Sequence, residues 1–255
     1  GGVPVFVDCE KDTMNISVED IEKKITNKTK AIIPVHFGGR PCNMHGIMRI
    51  AKKYNLKIIE DCAHAIEAEY HNKHTGTFGN IAAISFNGNK IITSGGGGCV
   101  ITDDEELAIK AKYITTTAKV PHKWAFTHDL IGYNYRMPNI NAALLAAQLE
   151  NIGSFLDNKR ELALIYKDFF TLSDVKFVTE PKDSQSNYWL NAIILNDRKE
   201  RDLFLAETNA KGIMTRPIWT LMNNLNMFKA AQCGDLGNAL WLEDRVANIP
   251  SSVRV

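Results

Sequence analysis

The stretch Ile81-Ala82-Ala83-Ile84-Ser85-Phe86-Asn87-Gly88-Asn89-Lys90-Ile91-Ile92-Thr93-Ser94-Gly95-Gly96-Gly97-Gly98 runs from an apolar segment through a short polar loop holding one lysine to four consecutive glycines. The apolar part, residues 81–86, predicts a buried strand. Lys90 then falls just beyond that strand's carboxyl end, where open α/β sheets place their ligands. The glycines leave backbone room beside it. A lysine presented in this way can form a Schiff base with a carbonyl, as in pyridoxal phosphate enzymes. A solvated loop lysine is the ordinary alternative.

A second stretch points the same way. Leu56-Lys57-Ile58-Ile59-Glu60-Asp61 reads as a short strand ending on an acid, followed by Cys62-Ala63 and then His64. An ionised carboxylate at a strand's end can keep a pyridinium nitrogen protonated, which lets the ring accept electrons. A capping or salt-bridged aspartate is the competing explanation. The glycine cluster does not make a nucleotide fingerprint. Val100 occupies the place of the third glycine in Gly-x-Gly-x-x-Gly, and no P-loop pattern occurs. A tight β-turn and close backbone approach to a cofactor are both compatible with it.

Glu60-Asp61-Cys62-Ala63-His64-Ala65, the 85–98 segment with Lys90, and Gly132-Tyr133-Asn134-Tyr135-Arg136 occur in the order and spacing of a known family. The chain resembles the DegT/DnrJ/EryC1/StrS sugar aminotransferases nearly end to end, from Pro4-Val5-Phe6-Val7-Asp8 through Pro34-Val35-His36 to Thr215-Arg216-Pro217. Thr115-Thr116-Thr117-Ala118-Lys119, with the lysine segment, looks like the branch making 4-amino sugars for legionaminic acid and bacillosamine-type pathways.

The resemblance implies the fold-type I architecture of pyridoxal phosphate transferases, a large mixed-sheet α/β domain followed by a smaller α+β domain. The implied activity is a pyridoxal 5'-phosphate-dependent transfer of an amino group from glutamate to a nucleotide-linked 4-keto-6-deoxy sugar. Lys90 would anchor the cofactor and act as general acid and base, and Asp61 would pair with the pyridine nitrogen. His64 stands where many relatives carry glutamine, near the ring's phenolic oxygen; a packed histidine is the alternative. Ser85 matches a phosphate-binding serine, although a strand-end serine can also bond only backbone. Asn134 matches a residue reaching the neighbouring subunit's phosphate, and Arg136 one close to the substrate or donor carboxylate. The implied assembly is a homodimer with shared active sites. Two rivals stand beside this: a non-catalytic or regulatory member of the fold, and a pyridoxal phosphate-dependent sugar dehydratase. Relatives of the latter kind replace the lysine by histidine, so Lys90 counts against it.

Composition narrows the field further. With 255 residues, 45% hydrophobic content and a net charge of +1, the chain can bury a sizeable core and carries no global field suited to nucleic acid or an anionic membrane. No run approaches a membrane span and no start resembles a signal peptide, so a soluble cytoplasmic protein is expected. The five cysteines form no Cys-x-x-Cys pair, and His71 and His74 are an isolated pair, so no metal site is expected. Relatives begin with an additional segment that holds the cofactor phosphate and stacks on its ring. Neither feature is recognisable here, and part of the amino-terminal region is expected to be missing.

Three regions follow from the patterning: a large cofactor-binding α/β domain over residues 1–137, connector helices over 138–172 and a small α+β domain over 173–255. Strands are expected at 3–7, 31–35, 56–59, 81–86, 99–102, 188–195 and 213–216. Helices are expected at 17–25, after Asn43, after Asp103, from Asn139 past Gly153 towards Phe170, and at 198–210. Residues 115–136 lack periodicity, as functional or disordered segments do. From Lys110 to Arg136, four lysines and one arginine face a single acid, Asp129. Such a patch suits a diphosphate or is simply a solvated basic surface.

Overall fold

The computed structural model describes residues 2–254. After β1 (Val5–Phe6), α1 (Val18–Lys24) is capped by Ser17, whose hydroxyl accepts from the Asp20 amide. Next come β2 (Ala31–Ile32), α2 (Met44–Tyr54) and β3 (Lys57–Asp61). The Asn43 side chain caps α2 by accepting from the Gly46 amide. Ile47, Ile50 and Ala51 are buried beneath it. Tyr54 instead turns outward, and its hydroxyl donates to Glu22.

The chain continues through β4 (Glu69–Tyr70), β5 (Lys73–His74), β6 (Ile81–Ser85), β7 (Gly98–Ile101) and α3 (Glu105–Thr115), the last capped by Asp104. The large sheet has the order β2-β3-β6-β7, parallel from β2 to β6, with β7 returning antiparallel. It is therefore mixed, and the lysine loop is its hairpin connection. The strand expected at 31–35 stops at Ile32, and Val35 keeps one isolated bridge to Asp61. The strand expected at 56–59 runs on to Asp61 because pairing with β6 continues there.

Residues 116–138 form no helix or extended strand; their isolated bridges join Thr116 to Asn134 and Lys119 to His128. The single helical pattern expected after Asn139 is two helices, α4 (Asn139–Leu149) and α5 (Ile152–Phe170). At the break the Asn151 side chain donates back to the Ala147 carbonyl, and its backbone leaves helical geometry.

The remaining elements are β8 (Lys176–Phe177), β9 (Ser184–Gln185), β10 (Asn191–Ile194), α6 (Arg198–Ala210), β11 (Arg216–Pro217), β12 (Gln232–Cys233), α7 (Gly237–Glu243) and β13 (Val246–Ile249). The small sheet is antiparallel in the order β11-β13-β10-β8. Its central strand was expected from 188 but begins at Asn191, because Tyr188 adopts a left-handed φ of 47° that takes it off the ladder. Of the strand expected at 213–216 only Arg216 is on the ladder, in β11, which runs on to Pro217 because pairing with β13 continues there. The opening strand, expected at 3–7, is two residues long and pairs in parallel with β12. Another cross-connection pairs β9 with β4.

Helix α5 ties the two sheets together. Leu156 packs with Phe86, Ile91, Ile92 and Leu145 beneath the lysine loop, whereas Ala163 belongs to the core of the small sheet with Phe177, Ile193 and Ala247. One rigid helix thus sets the distance between them.

The end of β3 is fixed by a buried carboxylate. Glu60 accepts at Oε1 from the Phe78 and Gly79 amides and at Oε2 from the Gly76 amide and His36 Nε2, the last at 3.0 Å. His36 Nδ1 accepts from the Cys42 amide, so the proton resides on Nε2 and the ring donates to Glu60. Burial alone would raise the Glu60 carboxyl, but the bonds from His36, Gly76 and Gly79 outweigh it and hold it below the ordinary range. His36, Glu60 and Cys62 lie close enough to suggest a metal triad. Both imidazole nitrogens are already engaged, and burial pushes the Cys62 thiol up, so the cluster serves the fold.

Glu60→Gln places an amide N–H against backbone N–H groups and should lower unfolding stability by about 3 kcal/mol, measured by denaturant titration at neutral pH. Because the folded carboxyl is depressed, this stabilisation is complete above its unfolded pKa and disappears as pH falls through the folded value, so the gap between wild type and variant should close in acid.

Candidate active site

The lysine loop is built from both of its ends. Phe86 donates its amide to Gly97 and accepts at its carbonyl from Ser94, closing the hairpin, while Ile91 and Ile92 anchor the loop from below. Gly95 and Gly97 have φ of 80° and 91°, so the glycine tail is a tight turn. Lys90 rises half-buried from this base, its own amide bonded to the Asn87 carbonyl.

Trp189 closes the site from the small-sheet side. The Lys90 ammonium sits 4.2 Å from its ring centroid, and the indole Nε1 donates to the Asn89 carbonyl at 2.8 Å. The Trp189 amide is held by the Asn187 carboxamide oxygen, while the amide nitrogen of Asn187 donates to the carbonyls of His64 and Ile66. Gly39, at φ 89°, makes room for this lock: a Cβ there would lie 1.8 Å from the Asn187 oxygen.

Asp61 ends β3 one strand away from the lysine, and its Oδ1 accepts from the Ala63 amide at 2.9 Å. Burial lowers the Lys90 pKa, and the charge of Asp61 partly opposes that shift, which places the two groups in one electrostatic neighbourhood. His64 lies flat on Trp189 with centroids 3.9 Å apart. Its Nδ1 accepts from the Gly38 amide at 3.3 Å, which leaves Nε2 as the protonated donor. Burial, then the charges of Lys90 and Arg40, push its pKa down to about 3. Ser85 ends β6, and its hydroxyl accepts from the Asn87 amide.

The structure therefore gathers Lys90, Asp61, His64 and Ser85 at the carboxyl ends of two adjacent parallel strands. Asn134 and Arg136 are exposed on the 116–138 segment, whose Met137 packs with Phe86, Ile91 and Ile92 beneath the lysine loop. Arg136 reaches only the Thr116 carbonyl, and among the described residues no hydrogen bond or ion pair joins either residue to the lysine cluster.

Sequence reading did not single out Asn187, Trp189 or Trp219. The Trp219 ring lies parallel to Trp189 at 6.3 Å and to His64 at 6.1 Å. Asn-Tyr-Trp ahead of an apolar run reads as the start of a strand, and nothing local marks the tryptophan as lying under a lysine a hundred residues earlier.

The fold agrees with what the chain is similar to. The model of the DegT/DnrJ/EryC1/StrS aminotransferase family matches residues 1–255, and the chain belongs to that family. It is 44% identical over 228 residues to the GDP-perosamine synthase of Escherichia coli O157:H7, a match covering 89% of this chain and 62% of that protein. The chain thus spans less than two thirds of that relative's length. A solved structure of Helicobacter pylori PseC, described as an aminotransferase involved in the biosynthesis of pseudoaminic acid, superposes with a TM-score of 0.92 at 25% identity, covering 98% of this chain and 69% of that one. E. coli GDP-4-keto-6-deoxy-D-mannose-3-dehydratase with bound hydrated pyridoxal phosphate gives 0.89 at 25% identity, covering 98% and 70%.

With so low a pKa and a fixed tautomer, His64 should remain neutral throughout the physiological range. Its ring nitrogen shifts, followed by NMR from pH 8 to pH 5, should stay constant; a titration near the ordinary histidine value of about 6.5 would contradict the packing described.

Proposed function

We propose that the protein is a pyridoxal phosphate-dependent aminotransferase that converts a nucleotide-linked 4-keto-6-deoxy sugar to the 4-amino sugar, with glutamate as donor. The carrying observation is the half-buried Lys90 amine, lowered in basicity, beside the Asp61 carboxylate at neighbouring strand ends. The donor set suits pyridoxal phosphate: one amine for its aldehyde, one acid for its ring nitrogen, an imidazole N–H for its phenolic oxygen and a hydroxyl for its phosphate. When bound, the cofactor supplies an electron-accepting conjugated ring for the pair released as a substrate C–H bond breaks.

Each residue has a distinct task in this reading. Asp61 keeps the proton on the ring nitrogen. Lys90 carries a proton between substrate carbon and cofactor carbon, a role that burial favours by increasing the share of free amine. His64, neutral and fixed, donates from Nε2 without adding a charge. Ser85 offers its hydroxyl to the phosphate. Trp189 steers the lysine and keeps water from one side of it.

Asn134 and Arg136 act from the partner subunit of a cytoplasmic homodimer. The segment bearing them exposes Trp124, Phe126, Ile131 and Tyr135, more apolar surface than an isolated loop supports. Its lysines suit the diphosphate of a nucleotide sugar. The likeness to a GDP-perosamine synthase favours a GDP-linked substrate, whereas the Thr115 to Lys119 pattern favours the legionaminic and bacillosamine branch. Lys90 separates the reading from the dehydratase alternative.

Lys90→Ala in the full-length protein should cut transamination by about three orders of magnitude or more and remove the absorption band of the lysine-linked cofactor while the far-UV spectrum is kept. Asp61→Ala should cost about a hundredfold or more in turnover, and an unchanged rate would mean that another acid serves the nitrogen. Substrate choice is read from a panel of UDP- and GDP-linked 4-keto sugars with amine formation followed by mass spectrometry; no amine product from any of them would end the sugar assignment. Mixing Lys90→Ala with Asn134→Asp subunits should restore partial activity through one repaired site per heterodimer. No recovery, with heterodimers confirmed, would make the site self-contained.

A further inference from the structure

Trp219 is a large apolar side chain that is 52% exposed yet held in one orientation. It follows β11 on the small-sheet side, and the backbone on both sides of it is pinned. The Ile218 amide donates to the Val246 carbonyl, and the Leu221 amide donates to the Glu243 carboxylate at 3.0 Å. One edge of the ring meets Phe37 at 5.7 Å with the planes 85° apart. Its parallel neighbours, His64 and Trp189, belong to the lysine cluster. Packing alone does not require half an indole to stay in solvent.

Among the described residues the indole N–H of Trp219 makes no hydrogen bond, whereas that of Trp189 is used internally. Trp219 therefore presents an open apolar surface and a free donor at the mouth of the site, on a rigid mount. A pyranose ring has a face of C–H bonds that packs on an aromatic surface, and its rim of hydroxyls offers acceptors for one N–H. A small dicarboxylic amino acid has no such face.

We infer that Trp219 is a substrate-binding and specificity residue that stacks on the ring of the acceptor sugar and has no part in recognising the amino donor. This rests on the aminotransferase reading above, and it adds to the shared machinery one side chain specific to the acceptor half. Lys90, Asp61 and the residues that hold the cofactor serve both half-reactions, whereas Trp219 serves only the acceptor half. A rigid stacking surface costs little ordering entropy when the sugar binds, so its removal should appear chiefly as weaker binding.

The test uses Trp219→Ala and Trp219→Phe in the full-length, cofactor-loaded protein. The glutamate half-reaction, followed by the cofactor's absorbance change, should stay within about twofold of wild type, as expected for uniform retention of the donor site. The KM for the UDP- or GDP-linked 4-keto-6-deoxy sugar that the wild type accepts should rise about tenfold or more in the alanine variant and less in the phenylalanine variant. Calorimetric titration of GDP- and UDP-linked 4-keto-6-deoxy hexoses should show the same loss of affinity independently of turnover. Unchanged sugar affinity in Trp219→Ala overturns the inference, as does a parallel fall of both half-reactions, which would mark Trp219 as structural. A wild type that binds the sugar through Trp219 but gives no glutamate half-reaction refutes the aminotransferase reading and leaves the stacking role standing.

Discussion

The contact on which the site depends is that of Trp189 with the lysine loop. The indole lies under the Lys90 ammonium, bonds the Asn89 carbonyl and stacks on His64, so one side chain fixes the loop, the imidazole and the cation together. Its backbone is held in turn by Asn187 and by the buried Lys159, which donates to the Trp189 and Ser251 carbonyls. Movement of the small sheet relative to the large one would be transmitted directly to the amine. The cation over an aromatic face, partly desolvated, gains on the order of 1–2 kcal/mol, enough to bias the lysine's rotamers.

The second constraint is the alternation of β3. Successive side chains on a strand point to opposite faces, so Glu60 and Asp61 cannot share an environment. Glu60 is buried among four donors and holds the strand end, the Gly76 to Gly79 turn and His36 in place. Asp61, facing the other way, spends only one oxygen on the Ala63 amide and keeps the rest of its carboxylate for the site. Two adjacent acids thus do opposite jobs, one as a satisfied structural anion and one as an available charge.

Much of the architecture was legible because it is local. Ser17, Asn43 and the acids before α3 announce helix starts through side-chain oxygens that satisfy free amides, and the run at residues 81–86 announces a strand through burial. Lys90 and Asp61 stood out for the same reason, since each follows a recognisable strand. What was not legible depends on long-range geometry. The pairing of β1 with β12 joins residues more than two hundred positions apart, and nothing in Val5-Phe6 specifies its partner. The break between α4 and α5 turns on a single asparagine bonding backward. The aromatic assembly of Phe37, His64, Trp189 and Trp219 draws on four separate segments, and nothing local in any of them announces the other three.

The central claim is that Lys90, and no other lysine, is the amine that engages the cofactor's aldehyde. The most direct measurement is borohydride reduction of the full-length protein after incubation with pyridoxal phosphate, followed by protease digestion and mass spectrometry of the labelled peptide. The account predicts that the label resides on Lys90 and that Lys90→Ala abolishes it. Label on a different lysine, or none at saturating cofactor, would contradict it.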